Sequence, residues 1–298
     1  LKRLEREIAI FAALCGAQIA FGIFPVIGKL ALTAIPPLPF ALFRVAGASL
    51  LLSILRKVRP SERIARSDFA RLATLSFLGV TINQIFFIEG LSRSTAINAA
   101  LLMVTIPVFT LGVTILARRE DANARKLTGC ALALAGALSL LGVEKFDWRS
   151  QLFLGDALLL MNAAAYSVYL VLSRELLKKY SAVTFIQITF LLGAVPVLGF
   201  AALPITRMDF ASVTPLAWIA LAAVILLPSV FAYVLNAWAL ARTDASRVAI
   251  FVTIQPLVAT LFAMAWLSER PTARTALAAL LIFSGLFLSR PPLPRRSP

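Results

Sequence analysis

The chain has 298 residues, 60% of them apolar and 14% charged, with a mean hydropathy of +0.89 and a net charge of +15. Soluble domains of this size run nearer about 45–50% apolar and about a quarter charged. The excess is gathered into runs of about 20 residues, the length an α-helix needs to cross a bilayer, which excludes a soluble single-domain enzyme.

Apolar runs occupy residues 8–33, 38–55, 69–91, 96–117, 127–143, 152–173, 181–203, 214–240, 246–267 and 273–290. Each is a long continuous stretch and not the short alternating strand of a spanning barrel. Ten transmembrane helices are therefore predicted, in an all-α integral membrane fold. Prolines and small polar clusters separate the runs: Pro36, Pro37 and Pro39, then Arg59, Pro60 and Ser61, then Pro204, Pro215 and Pro271. The start, with Lys2, Arg3 and Arg6, leads into an apolar stretch too long for a cleavable signal and reads as a retained anchor.

With the N-terminus placed in the cytoplasm, 21 of the 29 basic residues fall in cytoplasmic segments and 6 outside; Lys29 and Arg44 lie within spans. This bias fixes the orientation, with both termini inside, and accounts for the basic charge as a topology signal. It leaves nucleic acid without a folded basic face to bind. The sequence has no histidine, which removes His-based triads, HExxH zinc sites and His-ligated haem. Cys15 and Cys130 lie inside apolar runs and form no motif. No GxxxxGK[ST] loop is present, so no ATP hydrolysis is expected. No cofactor or metal is implied; the expected partners are the lipid bilayer and a small-molecule substrate, with a homodimer allowed for.

The chain repeats itself. At an offset of 149, Leu91 and Arg93 align with Leu240 and Arg242, Ala96 with Ala245, Pro107 with Pro256, Glu120 with Glu269, and Gly136 with Gly285. Earlier in each half the offset is 145, pairing Phe21 with Tyr166, Phe24 with Tyr169 and Lys29 with Arg174. The halves, 1–149 and 150–298, thus carry five spans each. Five is odd, so the second half enters the membrane upside down. Two inverted bundles can rock about a shared midplane site and expose it to each side in turn.

The stretches 79–120 and 245–270 each hold a Pro-containing helix closed by a Glu, Glu120 and Glu269; Arg44 in the second span and Gly155-Asp156 opening the sixth accompany them. In this pattern the sequence resembles the EamA-type permeases of the drug/metabolite transporter superfamily, over almost its whole length. The resemblance implies ten helices in two EamA repeats, an inner-membrane location and outward movement of a small metabolite. Phe21 stands where the family commonly carries Trp, and Glu89 is an unusual acid.

Polar side chains within spans usually face the bundle interior or a water-filled path. Gln18, Asn83, Gln84, Asn162 and Gln255 lie nearest the midplane. Asn83 and Phe87 share one face of the third span; Asn162, Tyr166 and Tyr169 form a stripe on the sixth; Tyr233 and Asn236 pair on the eighth. The repeat maps Gln84 onto Tyr233 and Phe87 onto Asn236. With Phe21 and Arg44, these residues make a candidate substrate cavity for an amino acid or related compound. The same amides and hydroxyls also serve as helix glue, at about 0.6–2 kcal/mol each. Arg44 suits a carboxylate or phosphate, or an internal acid or carbonyl. Glu89 is the candidate coupling group, a buried acid able to load and release a proton, with Arg93 four residues on offering a helical ion pair instead. Pro107 and Pro256, mid-span and symmetric, are candidate hinges. A lipid-linked flippase, a nucleotide-sugar carrier or a passive channel would fit the same scaffold, and an intramembrane lipid enzyme lacks the clustered acids it would need.

Overall fold

In the computed structural model, residues 2–57, 62–117, 123–141 and 150–289 are described. Arg59, Pro60 and Ser61, Glu120, Lys145 and Arg149, and the basic C-terminal residues Arg290, Arg295 and Arg296 lie outside them. Among the described residues every regular element is a helix. The main helical elements are α1 (Lys2–Leu32), α2 (Pro37–Lys57), α3 (Arg66–Arg93), α4 (Ala96–Leu116), α5 (Ala124–Leu141), α6 (Gln151–Lys179), α7 (Ala182–Thr206), α8 (Pro215–Leu240), α9 (residues 245–266) and α10 (Ala273–Ser289). Among the described residues eight are long and apolar enough to cross a membrane, and Ala273–Leu288 is a shorter apolar helix. The ends lie near those expected from the apolar runs, except that α1 begins at Lys2, ahead of its run at 8–33, and α6 continues to Lys179, past its run at 152–173.

Side-chain caps set several starts. Thr95, Ser150, Ser181 and Thr214 each accept from the backbone N–H three residues on, at the heads of α4, α6, α7 and α8. Such a cap satisfies one donor that the helix itself leaves unpaired, and is worth about 1 kcal/mol.

The inverted repeat is visible in contacts. A Cβ on Gly136 of α5 would lie 2.9 Å from both the Ala278 carbonyl oxygen and the Ile282 side chain of α10. On Gly285 of α10 it would lie 2.4 Å from the Gly129 carbonyl oxygen, with the Ala133 backbone nitrogen 2.5 Å away. Gly129 and Ala133 are the repeat equivalents of Ala278 and Ile282, so α5 and α10 exchange like contacts with one another. Glycine is what lets the two backbones come so close.

Interruptions repeat as well. α3 passes through a π-helical segment at Phe77–Ile82, and α8 through one at Ile225–Phe231. α4 breaks between Ala96–Met103 and Ile106–Leu116; α9 breaks between Ala245–Phe251 and Gln255–Trp266 through a short 3₁₀ turn. Pro107 and Pro256, the candidate hinges, each occupy the first turn of the helix that follows a break, where the missing N–H costs no helical hydrogen bond.

α3 and α6 cross at Gly90 and Gly155, where either added Cβ would fall 2.9 Å from the other glycine's carbonyl oxygen. The next residue, Asp156, is fully buried; it accepts from the Ser94 hydroxyl and from Asn98 Nδ2 at 3.0 Å, tying α6 to the head of α4. The Gly155-Asp156 pair is therefore accounted for by packing.

Candidate functional site

Six helices, α1, α2, α3, α6, α8 and α9, send polar side chains to one point in the interior. Gln84 Nε2 donates to the Tyr233 hydroxyl at 2.9 Å, and that hydroxyl donates to Asn83 Oδ1 at 3.0 Å. Asn162 Nδ2 reaches the Asn83 carbonyl oxygen at 2.6 Å. A second chain runs from Gln255 Nε2 to Gln18 Oε1 (2.6 Å), from Gln18 Nε2 to Asn236 Oδ1 (3.2 Å), and from Asn236 Nδ2 to the Tyr166 hydroxyl (3.2 Å). All these groups are buried. Their mutual hydrogen bonds offset the cost of carrying amides into an apolar interior.

Aromatic rings wall the site. Phe21 meets Tyr233 edge-on with centroids 5.4 Å apart, and Phe24 stacks on Phe87 at 4.6 Å. The Arg44 guanidinium lies 3.9 Å over the Phe24 ring, donates from Nε to the Ser229 hydroxyl at 2.7 Å, and donates from Nη1 to Gln84 Oε1. Ser229 sits within the π-helical turn of α8 and donates onward to the Val224 carbonyl oxygen, five residues back, at 2.8 Å. The widened turn thus supplies the carbonyl that fixes the hydroxyl facing Arg44.

These groups surround a cavity of about 60 Å³, also lined by Met103, Ile106, Leu170, Val248 and Val252. The lining is symmetric in the repeat: Gln84 with Tyr233, Phe87 with Asn236, Met103 with Val252, and Ile106 with Gln255 at one offset, Phe21 with Tyr166 at the other. One water needs about 10–15 Å³ by this measure. The cavity therefore has room for a few waters, and a metabolite requires the helices to part.

Eleven of the twelve residues expected to bind substrate line this cavity. Tyr169 is the exception: stacked on Tyr166 with centroids 5.6 Å apart, it borders a smaller hollow with Ile186 and Leu240. Its face is the one expected, but seven residues at about 1.5 Å each carry it some 10 Å along the helix. Phe24, Met103, Ile106, Leu170, Val248 and Val252 were missed, since an apolar residue in an apolar span gives no sign of which side it faces. The pairing of Phe24 with Tyr169 across the repeat was a usable signal for Phe24.

Glu89 is not part of this site. It accepts from Arg93 Nη1 and borders a separate groove with Ile85 and Gln151. Arg93 also donates to the Glu89 carbonyl oxygen at 2.9 Å, so the two form the helical ion pair that their spacing offers.

Contacts between the halves occur toward both faces of the membrane. On the face away from the basic loops, Glu269 accepts from the Ala96 and Ile97 backbone N–H groups at 3.0 and 3.1 Å, with Lys29 at 3.9 Å. The carboxylate from the end of α9 thereby closes the first turn of α4, where the helix dipole favours an anion. Beneath it, Val26, Ala96, Ile97 and Ala263 form a small apolar cluster with Phe262 and Leu267. On the basic face, Arg247 pairs with Glu7 at 2.8 Å and Arg174 with Asp244 at 2.7 Å. Lys29 and Arg174, equivalent in the repeat, thus work at opposite faces.

The EamA-like transporter family model matches residues 8–142 and again 153–290, one match to each set of five helices. The chain belongs to the EamA-like transporter family. An uncharacterized transporter of Archaeoglobus fulgidus is 30% identical over 268 residues, covering 88% of this chain and 90% of that one. The uncharacterized transporter YdfC of Bacillus subtilis is 27% identical over 254 residues, covering 84% and 80%. A solved crystal structure superposes with a TM-score of 0.67 at 16% identity, covering 95% of this chain and 96% of the other, which shows a shared fold. The EamA-like chain is a membrane transporter built from ten helices in two inverted five-helix repeats.

Proposed function

We propose that this transporter moves a small metabolite, of the size and polarity of an amino acid or related compound, outward across the bacterial inner membrane by alternating access. The basic face and both termini are cytoplasmic in this reading, and the two halves, 1–149 and 150–298, are the rocking units. The observation that carries it is the hydrogen bond between Gln84 and Tyr233, residues that are each other's repeat equivalents. A residue can touch its own equivalent only on the axis relating the halves. The polar cavity therefore surrounds that axis, where rocking of one half on the other exposes it to either face with least change in its own geometry.

The test is counterflow in proteoliposomes holding the full chain. Vesicles preloaded with amino acids, aromatic metabolites or organic acids are diluted into a trace of the same labelled compound. Transient accumulation above equilibrium by one class supports the reading. Flux that rises linearly with concentration, without accumulation, supports a channel and contradicts it.

A further inference from the structure

We infer that the cavity recognises a small organic monoanion through its carboxylate, held at Arg44, and disfavours the zwitterionic and cationic forms of the same skeleton. This rests on the cavity being the transport site and narrows the class it takes, from amino acids and related compounds to those that carry a carboxylate and no ammonium. Arg44 is 2% exposed, and its three contacts, Ser229, Gln84 and the Phe24 ring, are all neutral. The cavity lining contains no Asp or Glu, and among the described residues no carboxylate pairs with Arg44.

Its Nη2 has no hydrogen-bond partner among the described residues. Arg44 itself lines the cavity, and its hydrogen bonds to Ser229 and Gln84 use Nε and Nη1. A guanidinium charge out of water and without a counter-charge is costly. An incoming carboxylate supplies the counter-charge and the planar geometry the guanidinium fork accepts. An ammonium on the same ligand meets amides, hydroxyls and a fixed positive charge, with no anion to balance it. The stacked Phe24 and Phe87 rings beside Arg44 offer a flat apolar wall for the body of the ligand.

The full-length protein is tested in nanodiscs by ligand-induced thermal shift and in proteoliposomes by counterflow. The matched probes are hydrocinnamate, hydrocinnamamide, phenylalanine, phenethylamine and phenethyl phosphate, with hexanoate and norleucine as an aliphatic pair. The expected result is that at least one carboxylate binds about tenfold or more tighter than its zwitterion, as a charge-assisted bond predicts. Arg44→Gln should remove that preference and Arg44→Lys retain part of it. The wild-type ratio needs no variant, so a misfolded Arg44→Gln protein leaves the test intact. Equal or tighter binding of the zwitterion, amine or phosphate overturns the inference, as does the absence of a shift with either carboxylate. Counterflow of zwitterions alone would overturn the carboxylate site and leave transport standing. Carboxylate binding without counterflow of any probe would do the reverse.

Discussion

Gln84 and Tyr233 lie 149 residues apart and share a hydrogen bond of 2.9 Å, so each touches the residue that occupies its own place in the other half. The axis of the inverted repeat passes through this contact, and the amide network is arranged around it. Tyr233→Phe removes the hydroxyl that bridges Gln84 and Asn83 while keeping the ring against Phe21. The expected cost is about 1–3 kcal/mol of stability, read as a lower melting temperature of the purified protein, together with weakened apparent affinity in counterflow. Unchanged melting and unchanged affinity would remove this contact from the site.

Glu269 should act as a latch on the face opposite the basic loops. Ser268, just after α9, has a φ of 54°, and Glu269 N–H returns to the Ala263 carbonyl oxygen at 3.3 Å. This left-handed turn aims the carboxylate at the head of α4. Glu269→Ala should cost about 1 kcal/mol and raise the labelling rate of a cysteine placed at Ile97 several-fold from that face. Ser268→Gly relieves the left-handed strain and should stabilise by about 0.5–1 kcal/mol. A labelling rate indifferent to Glu269 would show that the cap does not restrain opening.

The α5–α10 contact predicts a sharp contrast among glycines. Gly285→Val places atoms against the Gly129 carbonyl oxygen and the Ala133 backbone nitrogen, which cannot swing aside, and should cost well over about 2 kcal/mol. Gly112→Ala and Gly199→Ala add a methyl inside a helix where nothing lies within 4 Å, and should leave the melting temperature unchanged or raise it, since Ala is favoured over Gly there by about 0.5–1 kcal/mol. Comparing folded yield and melting of the three proteins checks this, and equal effects would contradict the close crossing.

On the basic face, Glu62 sits at the head of α7. Partial burial pulls its carboxyl up; the Ser181 N–H, hydrogen bonds with Thr184 and the Ser181 hydroxyl, and the Arg56 charge outweigh it and hold the group below its ordinary 4.5. A carboxyl depressed by folding adds stability above its unfolded value, and that stability is lost as pH falls through the folded one. Glu62→Gln should therefore melt below the wild type at neutral pH and converge with it as pH drops below 4.5. A gap that stays constant down to acid pH would show that the charge plays no part.

Much of this arrangement was legible because membrane spans and repeats write themselves in composition and spacing. The amides at Gln18, Asn83, Asn162 and Gln255 stood out since few polar groups enter an apolar span without a reason. The π-helical segments of α3 and α8 did not stand out. In the first, an added Cβ on Gly79 would fall 2.2 Å from the Tyr169 ring, a contact no local pattern encodes; in the second, Pro228 lies inside the segment and was the local sign of it. The role of Glu269 was half visible: the repeat marked it, but its partners are backbone N–H groups of Ala96 and Ile97, which any residue could supply. The rarity of Glu89 in an apolar span did not say where it sits, which is outside the cavity and paired with Arg93 one turn away.

Alternating exposure of the cavity on the repeat axis is tested most directly by thiol labelling at Asn236. The protein carries Asn236→Cys with Cys15 and Cys130 replaced by Ser, in sealed vesicles of known orientation, and a membrane-impermeant maleimide is applied to one face at a time. Labelling from either face, at rates shifted in opposite directions by Glu269→Ala, is the predicted result. Labelling confined to one face, with Glu269→Ala changing neither rate, would contradict it.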